Sequence, residues 1–558
     1  MLFCAGLVAC GPAGKPAGEV APRGSGNVVA PQTVTLEWLA ETAVLLGDLG
    51  DHHRRVATTS PEAQAYFDQG LRLLYAFNHD EATRSFAKAA AIDPECGMCF
   101  WGASITLGPN YNVPMLPERS VMAWEALQKA VACADRAAPV EKALIAALTR
   151  RYSGPEPLDP PAMAPLTEAY AAAMREVARQ YPDDDDVQVL FAESLMNIDP
   201  WRLWTLEGEP SKHTPEIVAT LERVLARAPV HPGANHYYIH AVEASRHPEK
   251  AIPSADRLAG LMPGAGHVVH MPAHIYQRVG RYAEASDHNR RAAEADLAYM
   301  AKVRPWGYYH MYLGHNFGFL SFSASMEGRS AESISAAREA AKAIPPTMVD
   351  MMPGMDFMVA EPILAMVRFG RFDDLLAEPR PEARHRVFAA LWLHGHGMAL
   401  AAKGKLDEAG KDLAELTELA RAAPPELRAG NNAARDVIEV AASVLRARIV
   451  EKQGKPEAHA LWADAVAKAD RLAYSEPNDW FYPVRHYQGA ALIAAGKMAE
   501  AEGVYREDLV RNPANGWALF GLAKALRGQN KAKEAAEVEG RFESAWSRAD
   551  IQLTTTAF

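Results

Sequence analysis

The sequence predicts an all-α chain of stacked helical hairpins with several inserted loops, and three observations predict it. Alanine is abundant through the middle and end of the chain while runs of Val, Ile and Thr are scarce, which favours helix over strand. Glycine and proline, 38 of each, mostly punctuate segments of helical periodicity. A turn glycine followed by an alanine-rich helix recurs at Gly280, Gly328, Gly370, Gly404, Gly454 and Gly496, spaced 48, 42, 34, 50 and 42 residues apart. At 558 residues the chain exceeds one compact core. A repeat array solves this by burying each hairpin's apolar face against its neighbours.

The N-terminal elements come first. Residues 1–11, MLFCAGLVACG, are apolar but too short to span a bilayer. Leu7-Val8-Ala9-Cys10 resembles the lipobox of bacterial lipoproteins, in which the cysteine carries the lipid. Gly11 to Pro31 mixes Gly, Pro, Ser, Ala and Val without periodicity and reads as a tether. Residues 1–31 are therefore expected to be a signal or lipoprotein leader with its tether. The chain is expected to be exported, periplasmic or lipid-anchored in a bacterial cell envelope, touching membrane only through that anchor; without the leader it would be cytoplasmic. Cys96 and Cys99, in CGMC, are spaced for a bridge in an oxidising compartment or for two small buried groups on one helix.

Helical patterning then runs over 32–545, with 546–558 as a tail. In NHDEATRSFAKAAAIDPECGMCFWG, Ala82, Phe86, Ala89 and Pro94 stand at relative positions 0, 4, 7 and 12. Small residues let two helices approach, the aromatic fills the gap, and the proline ends the helix. Near the C-terminus Ala501, Tyr505 and Pro513 repeat the pattern with Asp508 in place of the second alanine, and Trp517 and Gly521 follow. This resembles the tetratricopeptide repeat (TPR). LRLLYAFNHDEA, WGASITLGPN, ANHYYIHAVEAS and HMPAHIY are similar to segments of large bacterial TPR-containing proteins. The resemblance implies a right-handed α-solenoid whose first helices line a concave groove that holds a peptide or protein.

Three stretches do not fit a simple interhelix turn: ITLGPNYNVPM (105–115), PWRLWTLEGEP (200–210) and EPNDWFYPVRH (476–486). They read as inserted loops whose aromatics either clamp a ligand or anchor the loop to the helices.

The chemistry concentrates in the hairpins at 231–325. His236, His240 and Glu243, at i, i+4 and i+7, share one helical face. In HVVHMPAHIY, Pro272 suits the first turn of a helix, which puts His274 on that helix and His267 and His270 in the approach loop or at its cap. His310 and His315 are about 140° apart on a helix, so one of them faces away from any common centre. Successive first helices stack at about 10 Å, which brings His236 or His240, His274, and His310 or His315 together, with Glu243 as a carboxylate. Several imidazoles with a carboxylate form the donor set of Zn, Fe, Mn or Cu. Glu193 and Asn197 add an oxygen ligand or a general base from the preceding helix, and His267, His270 and Asn316 line the same groove. His394, His396 and His486 lie several hairpins further on, outside that centre.

Two functions compete. One is a TPR-like binding or scaffold protein with a histidine-lined groove that holds a divalent transition metal. The other is a metal-dependent hydrolase or oxidoreductase acting on a small molecule or peptide, with Glu243 or Glu193 moving a proton. No P-loop, dinucleotide fingerprint or nucleophile elbow is present in the sequence. Nucleic acid is not an expected partner, because 58 Lys and Arg stand against 69 Asp and Glu with the two signs interspersed, for a net charge of -11.

Overall fold

The computed structural model describes residues 34–352 and 354–558, so the leader, the lipobox and the tether lie outside the described residues. Helices run from Leu36–Thr42 to Ala532–Ala545. Among the described residues the strands are one antiparallel pair, Arg428–Ala429 with Asn432–Ala433. None of the described helices is long and apolar enough to cross a membrane.

The hairpins form where the sequence places their turns. Gly280, Gly328, Gly370, Gly404, Gly454 and Gly496 all adopt positive φ, between 63° and 80°. That left-handed geometry closes a helix C-terminus and is cheapest for glycine. At Gly328 the closing bonds run from its N–H to the Ser325 carbonyl (3.1 Å) and from the Arg329 N–H to the Ala324 carbonyl (3.0 Å).

Phe86 explains the spacing of the first repeat. It is fully buried, and its ring fills a notch between Gly70 and Gly102, where an added Cβ would lie 2.7 and 2.3 Å from ring carbons. Tyr505 sits in the same way between Gly489 and Gly521, at 2.3 and 2.2 Å. In both repeats each glycine lies 16 residues from the aromatic. Burying such a ring contributes about 2–3 kcal/mol. Asp508 departs from the pattern because its carboxylate accepts from His486 Nε2 (2.9 Å) and Asn515 Nδ2 (3.0 Å); a polar network there replaces a small-residue contact.

The superhelix curls until distant hairpins touch. The Gly264 N–H donates to the Asp48 carbonyl (2.7 Å), and Trp306 Nε1 donates to the Asp80 carbonyl (2.9 Å). From the other end, Trp517 Nε1 reaches the Ser325 carbonyl (2.8 Å) and Arg548 pairs with Asp287 (2.9 Å). The tail packs back as well, with Thr556 bonded to Tyr505 (2.6 Å). The histidine-rich hairpins are thereby enclosed between both ends of the molecule.

Candidate metal centre

The first side-chain set comes from the Pro232–Val242 helix, in which every residue is buried. Pro232 occupies the first turn and His231 caps it, Nδ1 accepting from the Ala234 N–H at 3.2 Å. His236 Nδ1 lies 2.6 Å from the Tyr75 carbonyl. A carbonyl only accepts, so the ring donates there and Nε2 carries the lone pair. His240 Nδ1 likewise donates to Glu243 Oε1 (2.9 Å). His236 Nε2, His240 Nε2 and both nitrogens of His267 are buried without a hydrogen-bond partner. One ligand atom from each of these three rings lies within 4.8 Å of the others.

The second set meets the same test. Gly266–His270 and Pro272–Arg278 follow each other with one residue between, and His315 comes from the His310–Met326 helix. His270 Nδ1 meets Asn289 Oδ1 at 2.6 Å, where the ring donates because Asn289 Nδ2 is turned to the Ala285 carbonyl. His274 Nδ1 donates to Glu243 Oε2 at 2.5 Å. Their Nε2 atoms stand 2.7 Å apart, and His315 Nε2 lies 3.1 Å from that of His270. With the Nδ1 protons committed elsewhere, these nitrogens need a proton or a metal cation between them.

Glu243 joins the two sets by orienting one ring of each, the arrangement that fixes metal-ligating imidazoles. Glu476, from the third inserted loop, lies 3.0 Å from the same His274 Nδ1, yet neither of its oxygens receives a hydrogen bond. The single Nδ1 proton is already used by Glu243, so Glu476 acts on the centre by charge. Aromatic rings close the rest: Phe77 stacks on His240 (5.7 Å), Tyr111 and Trp201 stand 5.0 and 5.9 Å from it, Tyr312 is 4.6 Å from His267, and Phe319 is 5.0 Å from His270.

Protonation follows from this burial. Desolvation and the neighbouring rings hold His236, His267 and His270 well below the ordinary histidine range, and push His315 down to about 3. Burial also lowers His240, against the pull of Glu243. His274 is the exception: burial works against its charge, but Glu243 and Glu476 outweigh it and raise the ring to about 10. Burial pushes the Glu243 carboxyl up, yet His274 and His240 hold it low. Glu476 is raised by burial and by the adjacent Glu243. Without metal, a proton on His274 occupies the space between the second set of nitrogens.

No family model and no curated protein matches the chain. Among solved structures, an IFIT1 monomeric mutant with Gppp-AAAA aligns at TM-score 0.36 and 12% identity, over 91% of this chain and 99% of that one. The P58(IPK) TPR domain aligns at 0.22 and 13%, over 85% and 99%. The APC/C hetero-tetramer Cut9-Hcn1 aligns at 0.27 and 11%, over 87% and 90%. The chain is similar to TPR structures. At these scores the neighbours fix neither repeat register nor ligand, and the hairpin architecture stands on the helices described above.

Several expected site residues land elsewhere. His310 is half-buried and bonds to the Ala343 backbone, outside both sets; periodicity allowed one of His310 and His315 to face the centre, and His315 does. Glu243 meets the Nδ1 atoms of His240 and His274, a contact that orients both rings, and with these two rings it also forms a group whose ligand atoms lie within 4.8 Å of one another. Glu193 and Asn197 bond each other at 2.5 Å, and among the described residues no hydrogen bond or ion pair joins them to a histidine. Asn316 Nδ2 is held by Asp296 Oδ2 (2.7 Å). The centre is also no open groove: His236, His240, His267, His270 and His274 are at most 3% exposed, because the chain's own inserted loops fill the space above them.

His267 and His270, expected as groove residues in the approach loop or at the cap, lie on the short helix Gly266–His270, and each joins a set. The i, i+3, i+7 spacing of His267, His270 and His274 carries that signal, because the helical path continues through Pro272. Glu476 has no local signal beyond the aromatic loop in which it lies. His52, Asp186 and His231 also cluster, but Asp186 accepts from Tyr75 (2.6 Å), His52 (2.9 Å) and His231 (3.2 Å). With His231 Nδ1 already accepting, that cluster is satisfied internally.

Proposed function

We propose that this helical-repeat protein is a metalloprotein whose scaffold holds two transition-metal ions in adjacent tri-histidine sites. The reading is carried by the buried, partnerless nitrogens of His236, His240 and His267. A buried polar atom left without a partner costs about 1–3 kcal/mol, and here one ligand atom from each of the three rings lies within 4.8 Å of the others. Of Zn, Fe, Mn and Cu, a donor set of neutral imidazoles suits copper and zinc better than manganese, which prefers oxygen ligands. The Cys96–Cys99 disulfide supports an oxidising, extracytoplasmic location.

The test is elemental analysis of protein purified without a metal-binding tag and reloaded from the apo form. The expected result is two ions per chain, reduced by His240→Ala and by His274→Ala. Apo protein that takes up no metal and melts at the same temperature with and without it would refute the reading.

A second reading, a peptide or small-molecule binding protein, is supported by a cleft of about 630 Å³ between the second and third insertions, lined by Leu206, Arg246, Arg278, Tyr474, Trp480 and Val510. Leu206 and Val510 are exposed apolar groups there, and Trp480 Nε1 is buried without a partner. Arg278 joins this cleft to the centre through its bond to the Glu243 carbonyl (3.0 Å).

A further inference from the structure

The metal reading leaves open which ions the sites hold and what reacts there, and charge balance decides between the alternatives. The acidic side chains in contact with the six rings are Glu243 and Glu476, both nearly inaccessible to solvent at 1% and 3%. Two divalent ions would leave two uncompensated positive charges among Phe77, Tyr111, Phe319 and the imidazoles. An unbalanced buried charge is expensive. Arg278, which donates to the carbonyl oxygens of Glu243 and Ser245, is partly exposed at the cleft, where solvent screens its charge, so it stands outside this buried balance.

Two monovalent ions balance the two carboxylates. Of the first-row transition metals that imidazole binds, copper is the one with an accessible monovalent state. Resting on the metal-centre reading, we infer that the paired sites hold two cuprous ions and that their reactant is dioxygen. Each copper(I) gives one electron and becomes copper(II). Two such ions would supply the two electrons that reduce one dioxygen to peroxide, with no proton moved and no other reactant needed. The added metal charge equals the charge of the peroxide, so the site is balanced before and after the step.

Access to the rings is narrow, as a small reactant requires. Five of the six rings are buried, and His315 alone is partly exposed, which places the way in beside the second set. Rings of the two sets approach each other closely, with centroids 5.5 Å apart for His240 and His274 and 5.8 Å for His267 and His270. The two sets therefore adjoin through direct ring contacts.

The experiment is an anaerobic titration of untagged apo-protein with copper(I), followed by admission of dioxygen, with uptake and absorption recorded. Wild type is expected to bind two cuprous ions, consume one dioxygen per pair and develop an intense near-ultraviolet band. His315→Gln and His240→Gln, each checked for folding by circular dichroism, are expected to lose the paired uptake and the band. Two tightly bound cuprous ions with no dioxygen uptake would overturn this inference and leave the metal centre standing. Tight uptake of two zinc ions with no retention of copper(I) would do the same. Failure to bind any metal would remove both.

Discussion

Among single residues, Glu243 has the widest reach, because its two oxygens fix one imidazole of each histidine set. Glu243→Gln keeps the shape but loses the charge and one acceptor. Changes to such orienting groups typically cost about 10–100-fold in metal affinity, and that loss is expected at both sites, read by competition with a chromogenic chelator. A loss confined to one site would mean that Glu243 serves only one ring.

A second residue-scale prediction concerns acid stability. His394 is buried, donates to the Ala441 carbonyl (3.0 Å), and is pushed down to about 4 by desolvation. The unfolded chain titrates near 6.5, so this ring's contribution is complete above about pH 6.5 and is lost as pH falls toward 4. Between pH 7.5 and pH 5 that amounts to about 2 kcal/mol. Urea unfolding of the metal-free protein should show the loss in wild type and a smaller one in His394→Gln. An equal loss in both would assign the acid sensitivity to other groups.

At the scale of elements, the hairpins were largely legible in the sequence. Six turn glycines marked helix ends because few residues other than glycine accept a positive φ readily, and the Phe86 and Tyr505 patterns marked helix contacts because only small neighbours admit those rings. Phe86→Ala should cost about 3–5 kcal/mol. Gly102→Ala should also destabilise, by about 1–3 kcal/mol, because its new methyl would enter the Phe86 ring. Thermal melts of the two variants check both values, and a neutral Gly102→Ala would show that the ring moves aside. HYYIHAVE was legible as one helical face for the same geometric reason. HVVHMPAH was legible in part: Pro272 opens the helix that carries His274, as its fit to a first turn predicts, whereas the short helix Gly266–His270 before it, which sends His267 to one set and His270 to the other, was marked by no local pattern beyond the histidine spacing.

At the scale of the whole molecule, legibility ends where the superhelix closes on itself. Glu476 meets His274 across 202 residues, and nothing in either segment's local pattern specifies that pairing. The inserted loops could be recognised as insertions, but their position over the histidines depends on the summed curvature of every hairpin. Under the proposed metal reading closure has a measurable consequence, since metal in the second set would be held partly by the charge of Glu476 beside His274. Hydrogen exchange in that segment should slow several-fold on metal loading in wild type, and less in Glu476→Gln. Unchanged exchange would uncouple the C-terminal hairpins from the centre.

The central claim is that two all-imidazole metal sites lie side by side inside this fold. X-ray absorption at the edge of the bound metal, on fully loaded protein, tests it most directly. The account predicts two ions per chain, each with about three imidazole nitrogens at about 2.0 Å and a neighbouring metal in the outer shell. A single ion, or a first shell dominated by carboxylate oxygen or sulfur, would contradict it.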